Sequence, residues 1–161
     1  MTLTKQQIIR IMAPVDGRVI DLSDVPDPVF SGRMLGDGAA IEPISELIVA
    51  PADGILTMIF PTGHAFGMTL ANGVEILVHV GINTVELDGR GFQILQIEGE
   101  NLTCGEPVLK VDTAVISGAG KSMVTIVVVT EPRVITAVAV NLGKNLRAGL
   151  EELFSFLPGN T

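Results

Sequence analysis

Two histidines are the residues of this 161-residue chain best suited to do chemistry. His64 and His79 flank Asn72-Gly73, the strongest short-range signal for a β-hairpin. The flanking arms run His64–Leu70 and Val74–Val80. A two- or four-residue loop centred on Asn72-Gly73 sets Phe66 opposite His79 and His64 opposite Gly81. Opposed residues, and residues two apart, share a sheet face, so both imidazoles project from one face as diagonal neighbours, roughly 7–8 Å apart at the backbone. Phe66, Met68 and Leu77 fall on that same face, and Gly81 adds no bulk beside the rings. A one-residue slip would flip one arm and break the arrangement.

Two adjacent neutral imidazoles suit two kinds of chemistry. One is phosphoryl relay: a ring nitrogen attacks phosphorus while the other nitrogen holds the proton, and the second histidine steadies the transferred oxygens. The other is a Zn²⁺ ion held by His64 and His79. A zinc site normally needs a third protein ligand, and no HxH or HExxH motif supplies one. Glu75 shares the strand face but lies four residues from His79.

The elements that must hold these residues are strands. Turn signals recur at Asp16-Gly17, Asp37-Gly38, Asp53-Gly54, Asn72-Gly73 and Asp88-Gly89, with short Val/Ile/Leu-rich segments between them. This pattern predicts an all-β fold, an antiparallel β-sandwich or barrel-sandwich hybrid with little helix. Val124–Thr130 reads as a fully buried strand, and Thr4–Ile11 as one or two helical turns before Pro14. Ala13-Pro14-Val15-Asp16-Gly17 recurs as Ala50-Pro51-Ala52-Asp53-Gly54, and Gly99-Glu100-Asn101-Leu102 with Gly105 recurs as Gly143-Lys144-Asn145-Leu146 with Gly149. The repeats are too few for a solenoid and read as two related halves of one β-domain. The length and the lack of a linker predict a single domain over residues 1–161.

Composition narrows the function. With 47% hydrophobic and 17% charged residues the chain is a folded globular protein, and its 4% aromatic content makes the core aliphatic. A net charge of -8 disfavours nucleic acid and anionic lipid and favours a basic protein partner. The lone Cys104 excludes an internal disulfide, and no signal peptide or membrane-spanning run is present, so the expected location is cytoplasmic without direct membrane insertion. There is no GxxxxGK[ST] or GxGxxG loop.

At these residues the chain resembles the glucose-type IIA domains of the bacterial phosphoenolpyruvate-dependent sugar phosphotransferase system. The resemblance rests on Pro14-Val15-Asp16-Gly17, Val25-Pro26-Asp27-Pro28-Val29-Phe30, Gly36-Asp37-Gly38, Ala50-Pro51-Ala52-Asp53-Gly54, Thr62-Gly63-His64-Ala65-Phe66, His79-Val80-Gly81-Ile82-Asn83-Thr84-Val85 and Leu87–Phe92. It implies a phosphotransferase component, a protein-N(pi)-phosphohistidine relay without a cofactor. His79 takes a phosphoryl group from the phosphocarrier HPr and gives it to a cysteine of a IIB domain during sugar uptake. His64 supports the transfer and Thr62 orients His64. The Gly81 backbone helps fix the phosphorylated ring. Phe30, Phe60 and Phe66 form an apolar docking ring, and Asp27 meets arginines of both partners. The resemblance also implies regulated transporters or kinases as further partners.

The chain departs from the family in carrying Asn83 where an aspartate is usual, which removes a charge beside the site and predicts weaker or salt-insensitive docking with transfer retained. Thr130-Glu131-Pro132-Arg133 and the tail match weakly. Three other readings remain: a metallohydrolase, which lacks a third ligand; a biotinyl or lipoyl carrier, which lacks a lysine in the required context; and a regulatory binder that has lost transfer. The transported sugar is not encoded in these residues.

Overall fold

The computed structural model describes residues 7–130 and 135–158. Fourteen strands follow one another among these residues. They are β1 (Ile9–Met12), β2 (Gly17–Ile20), β3 (Asp37–Pro43), β4 (Leu47–Val49), β5 (Gly54–Ile59), β6 (Ala65–Leu70) and β7 (Glu75–Val80), then β8 (Phe92–Ile94), β9 (Asn101–Leu102), β10 (Pro107–Val111), β11 (Thr125–Val129), β12 (Ile135–Val140), β13 (Asn145–Leu146) and β14 (Glu152–Pro158). Two short helices, α1 (Pro28–Ser31) and α2 (Thr113–Gly118), and 3-10 turns at Leu22–Asp24 and Thr84–Leu87 complete the list.

One large sheet runs β13-β2-β3-β11-β7-β6-β5-β9, and two three-stranded sheets run β1-β14-β12 and β4-β10-β8. All pairings are antiparallel. The expected all-β sandwich with little helix is what forms, without a closed barrel.

Alternation sets the layers. Ile76, Val78 and Val80 of β7, Phe66 and Met68 of β6, and Ala39 and Ile41 of β3 point into the main core with Ile11, Ile48, Leu109, Phe154 and Phe156 of the small sheets. The opposite face of the large sheet carries a second cluster, in which Leu22, Val25 and Phe30 cover Ala40, Ile126 and Val128. Strand β11 is covered on both sides, so all five of its residues are buried, as its unbroken apolar run predicts.

The sequence repeats are a structural duplication. Met12 N–H donates to the Pro51 carbonyl at 2.8 Å, and Val49 N–H donates to the Pro14 carbonyl at 2.7 Å. Gly149 N–H bonds the Ala13 carbonyl and Gly105 N–H the Ala50 carbonyl, both at 2.8 Å. Asp16 accepts from Ala148 N–H and Asp53 from Cys104 N–H, both at 2.7 Å.

The N-terminal expectation is corrected. Ile9–Met12 is not helical but pairs with β14, because a partner far along the chain satisfies its backbone. Thr4–Gln6 and Glu131–Arg133 lie outside the described residues.

Candidate functional site

The hairpin that carries the histidines forms, with a different register. Leu70 N–H donates to the Val74 carbonyl and Gly73 N–H to the Leu70 carbonyl, so Ala71-Asn72-Gly73 is a three-residue loop with Gly73 at φ +85°. Asn72 also takes the Val74 N–H on its side chain at 3.1 Å. The pairing is therefore Ala65 with His79 and Phe66 with Val78, one residue off the expectation. Phe66 and Met68 turn into the core, and Phe66, at 0% exposure, offers no docking surface. Ala65 and Gly67 instead share the outer face with Leu77 and His79.

The two rings meet nonetheless. His64 stands one residue before β6, next to Gly63 at φ +72°, so strand alternation does not govern its direction. Its ring centroid lies 5.0 Å from that of His79, edge to face. Thr62 Oγ1 lies 2.5 Å from Nδ1 of His64, which fits the orienting role expected for it. Phe60 packs edge-on against His64 at 5.1 Å, and Phe30 against His79 at 4.9 Å.

The environment keeps both rings neutral. Burial lowers the pKa of His64. His79 is lowered to about 4, first by burial and then by the charge of His64, against the opposing pulls of the Gly81 backbone and the Asp27 carboxylate. Nδ1 of His79 is, among the described residues, the one buried side-chain nitrogen or oxygen without a hydrogen-bond partner. The Gly81 backbone favours a proton on the His79 ring. Nε2 of His79 is not sealed off in this way.

The surrounding loops place the remaining residues. Asp27 caps α1, accepting from Val29 N–H at 3.0 Å, and its charge reaches His79. Phe30, buried on the inner side of α1, covers His79 more than it faces solvent. Gly81, at φ +81°, turns the chain out of β7. Exposed Asn83 follows in the left-handed region at φ 56°, where asparagine is tolerated, and makes no capping bond. Apolar side chains that sequence reasoning did not single out lie exposed on these loops: Val29, Met34, Leu35 and Val85. Their signal was slight: Val29 and the Met34-Leu35 pair are separated by Ser31-Gly32-Arg33, and Val85 stands alone between Thr84 and Glu86. Buried Thr84 was quoted only as part of a motif.

A groove of about 520 Å³ lined by Glu46, Phe92, Lys110 and Asp112 includes neither histidine. The two imidazoles provide two nitrogen ligands for a cation such as Zn²⁺. Among the described residues no group of three or more His, Cys, Asp or Glu gathers, so a tetrahedral site would need ligands from elsewhere. Burial and the nearby Asp53 charge push the Cys104 thiol up, the opposite of an activated nucleophile. No helix among the described residues is long and apolar enough to cross a membrane.

Residues 9–135 match the family described as phosphoenolpyruvate-dependent sugar phosphotransferase system, EIIA 1. The chain is 38% identical over 143 residues to the PTS system glucose-specific EIIA component of Bacillus anthracis, covering 89% of this chain and 87% of that protein. It is 48% identical over 120 residues to the PTS system glucose-specific EIICBA component of Staphylococcus carnosus, covering 74% of this chain but only 18% of that longer protein. The glucoside-specific EIICBA component of the same organism is likewise spanned over 17% of its length. The solved structure of glucose permease IIA from Mycoplasma capricolum superposes with a TM-score of 0.87 at 34% identity, over 96% of this chain and 99% of that one. The chain belongs to the EIIA 1 family of the phosphoenolpyruvate-dependent sugar phosphotransferase system.

Proposed function

We propose that this chain is a phosphocarrier in which Nε2 of His79 accepts a phosphoryl group from the phosphohistidine of HPr and passes it to a IIB cysteine. The observation that carries the reading is a pair of neutral imidazoles 5.0 Å apart, one with its Nδ1 buried. A neutral ring with its proton on buried Nδ1 has a free lone pair on Nε2. Since Nδ1 is the pi nitrogen, a pi linkage belongs to the donor and not to His79.

In the first step a P–N bond forms at Nε2 of His79 as the P–N bond of phospho-HPr breaks. In the second, a thiolate sulfur attacks the same phosphorus and the His79 P–N bond breaks. His64, fixed through Nδ1 by Thr62, aims its other nitrogen at the transferred oxygens. Little else is asked of the protein, because phosphoryl transfer is chiefly positioning and charge stabilisation. A site ringed by exposed apolar side chains, with neither histidine lining the groove at Glu46 and Lys110, suits two protein partners better than a small substrate. Asp27 and the net charge of -8 would steer basic partners to it, and Val29, Met34, Leu35, Val85 and the edge of Phe60 would supply apolar contact. A thiolate acceptor requires a reducing compartment, which places the relay in the cytoplasm. The named relatives serve glucose and glucoside systems, so a hexose or its glycoside is the cargo class.

The test is to incubate the chain with phosphoenolpyruvate, enzyme I and HPr and to follow mass and acid lability. The wild type should gain one acid-labile phosphoryl group and His79→Ala none. His64→Ala should accept the group and pass it poorly to a IIB domain. A wild type that stays unmodified beside active HPr refutes the relay.

A further inference from the structure

We propose that Thr84 is the positioning residue of this relay: its hydroxyl fixes the Val80 carbonyl, its methyl seats Gly81, and the one side chain thereby holds both histidines in register. The inference rests on the relay reading above.

Thr84 is fully buried, one of three buried polar or charged side chains among the described residues. A buried hydroxyl needs a partner, and the ordinary one at a helix start would be a free amide of the first turn. Thr84 does something else. Its Oγ1 reaches back four residues and donates to the Val80 carbonyl at 2.5 Å. The amide of the same residue, Val80 N–H, donates to the His64 carbonyl at 2.8 Å. Val80 follows His79 directly, so its backbone joins both histidines to Thr84.

The methyl acts on the other side of the turn. A Cβ placed on Gly81 would lie 2.4 Å from Cγ2 of Thr84 and 2.8 Å from the Ser122 carbonyl oxygen. Gly81 is thus seated between Thr84 and the strap that leads into β11. Gly81 N–H donates to Val124 and Ile82 N–H to Ser122, at 2.9 and 3.1 Å. The strap holds the amides, and Thr84 holds the carbonyl just before them. Together they set the direction of the Gly81 peptide, whose backbone acts on the adjacent His79 ring. That direction decides which ring nitrogen keeps the proton, and so whether Nε2 is a nucleophile.

The test compares Thr84→Val, which keeps shape and removes the hydroxyl, with Thr84→Ser, which keeps the hydroxyl. Nitrogen NMR of the His79 ring reads the tautomer, and steady-state acceptance from phospho-HPr reads kcat and KM separately. Thr84→Val should lower kcat roughly tenfold to a hundredfold with KM unchanged and move the proton towards Nε2, while Thr84→Ser, which keeps the bond to the Val80 carbonyl but loses the methyl against Gly81, should keep the wild-type tautomer and lower kcat by only about twofold to fivefold. A folded Thr84→Val with wild-type kcat and tautomer overturns the proposal, as does a Thr84→Ser as slow as the valine variant. Should the valine variant not fold, Thr84→Ala removes the hydroxyl without bulk beside Gly81 and takes its place. A wild-type ring with its proton on Nε2 overturns the proposal whatever the variants do. Failure of the relay itself would be seen separately, as a wild type that takes no phosphate.

Discussion

The corner built on Pro14-Val15-Asp16-Gly17 and the corner built on Pro51-Ala52-Asp53-Gly54 make the same backbone hydrogen bonds, yet only the second leads on to a histidine pair. The likeness extends across the large sheet, whose order pairs β13 with β9, β2 with β5, β3 with β6 and β11 with β7 about its centre. Aligning Gly54 with Gly17 brings Met68 onto Ile41, and their partners Ile76 and Thr125 together, so that His79 falls on Val128. One half has a titratable ring at that place and the other a buried valine. The connections differ too. The β2–β3 connection, residues 21–36, carries α1 with Asp27 and Phe30, whereas the β5–β6 connection, residues 60–64, carries Phe60, Thr62 and His64. The scaffold is symmetric and the chemistry is not: the site is where two unlike loops meet over the middle of the sheet.

The largest effect should come from making the halves alike at this one place. His79→Val should abolish phosphoryl acceptance, measured by mass, and leave the fold intact. It should also change the pH dependence of stability. An unfolded His79 binds a proton below its ordinary 6.5 and the folded one only below about 4. Between those values the unfolded chain holds more protons, so stability falls as pH drops through the window, by on the order of 3 kcal/mol for this group. Urea melts above and within the window should show that His79→Val has lost this part of the slope. An unchanged slope would mean that His79 is not the group responsible.

A smaller effect tests where the corners pack differently. Gly105 and Gly149 occupy equivalent turns at φ +94° and +73°. A Cβ on Gly105 meets nothing within 4 Å, but one on Gly149 would lie 2.8 Å from the Gly105 Cα. Gly105→Ala should cost about 1–2 kcal/mol for the left-handed backbone. Gly149→Ala should cost roughly 1–3 kcal/mol more for the overlap. Equal losses in thermal melts would deny the asymmetry. Asp16→Ala and Asp53→Ala each remove one equivalent cap and should each cost about 1–2 kcal/mol without slowing transfer. A loss of transfer in either would link the corners to the chemistry. The smallest effect is expected at Cys104, whose counterpart is Ala148. Cys104→Ala should lie within about 0.5 kcal/mol of wild type. A larger loss would show that the thiol, 3.7 Å from the Gly149 carbonyl, is structurally distinctive.

Much of this was readable in the sequence, and the misreadings have physical causes. The recurrent Pro-x-Asp-Gly motif and the β11 apolar run act locally and led to the right elements, but Asp37-Gly38, expected as a turn, opens β3 and pairs with Val129 and Val128. Asn72-Gly73 announced a hairpin but not its loop length, because glycine in the left-handed region serves both two- and three-residue loops. That single residue of register sent Phe66 into the core and left His64 to reach His79 by way of the Gly63 turn, not by strand alternation. Ile9–Met12 was misread because its partner, β14, is supplied by the far end of the described chain, which no local pattern reveals. Thr62 was tied to His64 by the family resemblance, and its hydroxyl lies against Nδ1 of that ring.

The order of pairing along the chain has a consequence for synthesis. Strands β4–β10 form a continuous stretch that can begin to assemble as it emerges, and β2 pairs at once with β3, whereas β1 must wait for β14 and the outer edge of β2 for β13. Strand β1 is thus among the last to find its partner, and such distant closures are the slow part of folding. Amides of β6 and β7 should accordingly gain protection from hydrogen exchange before those of β1 during refolding. Simultaneous protection would instead mean that the ends and the middle close as one unit.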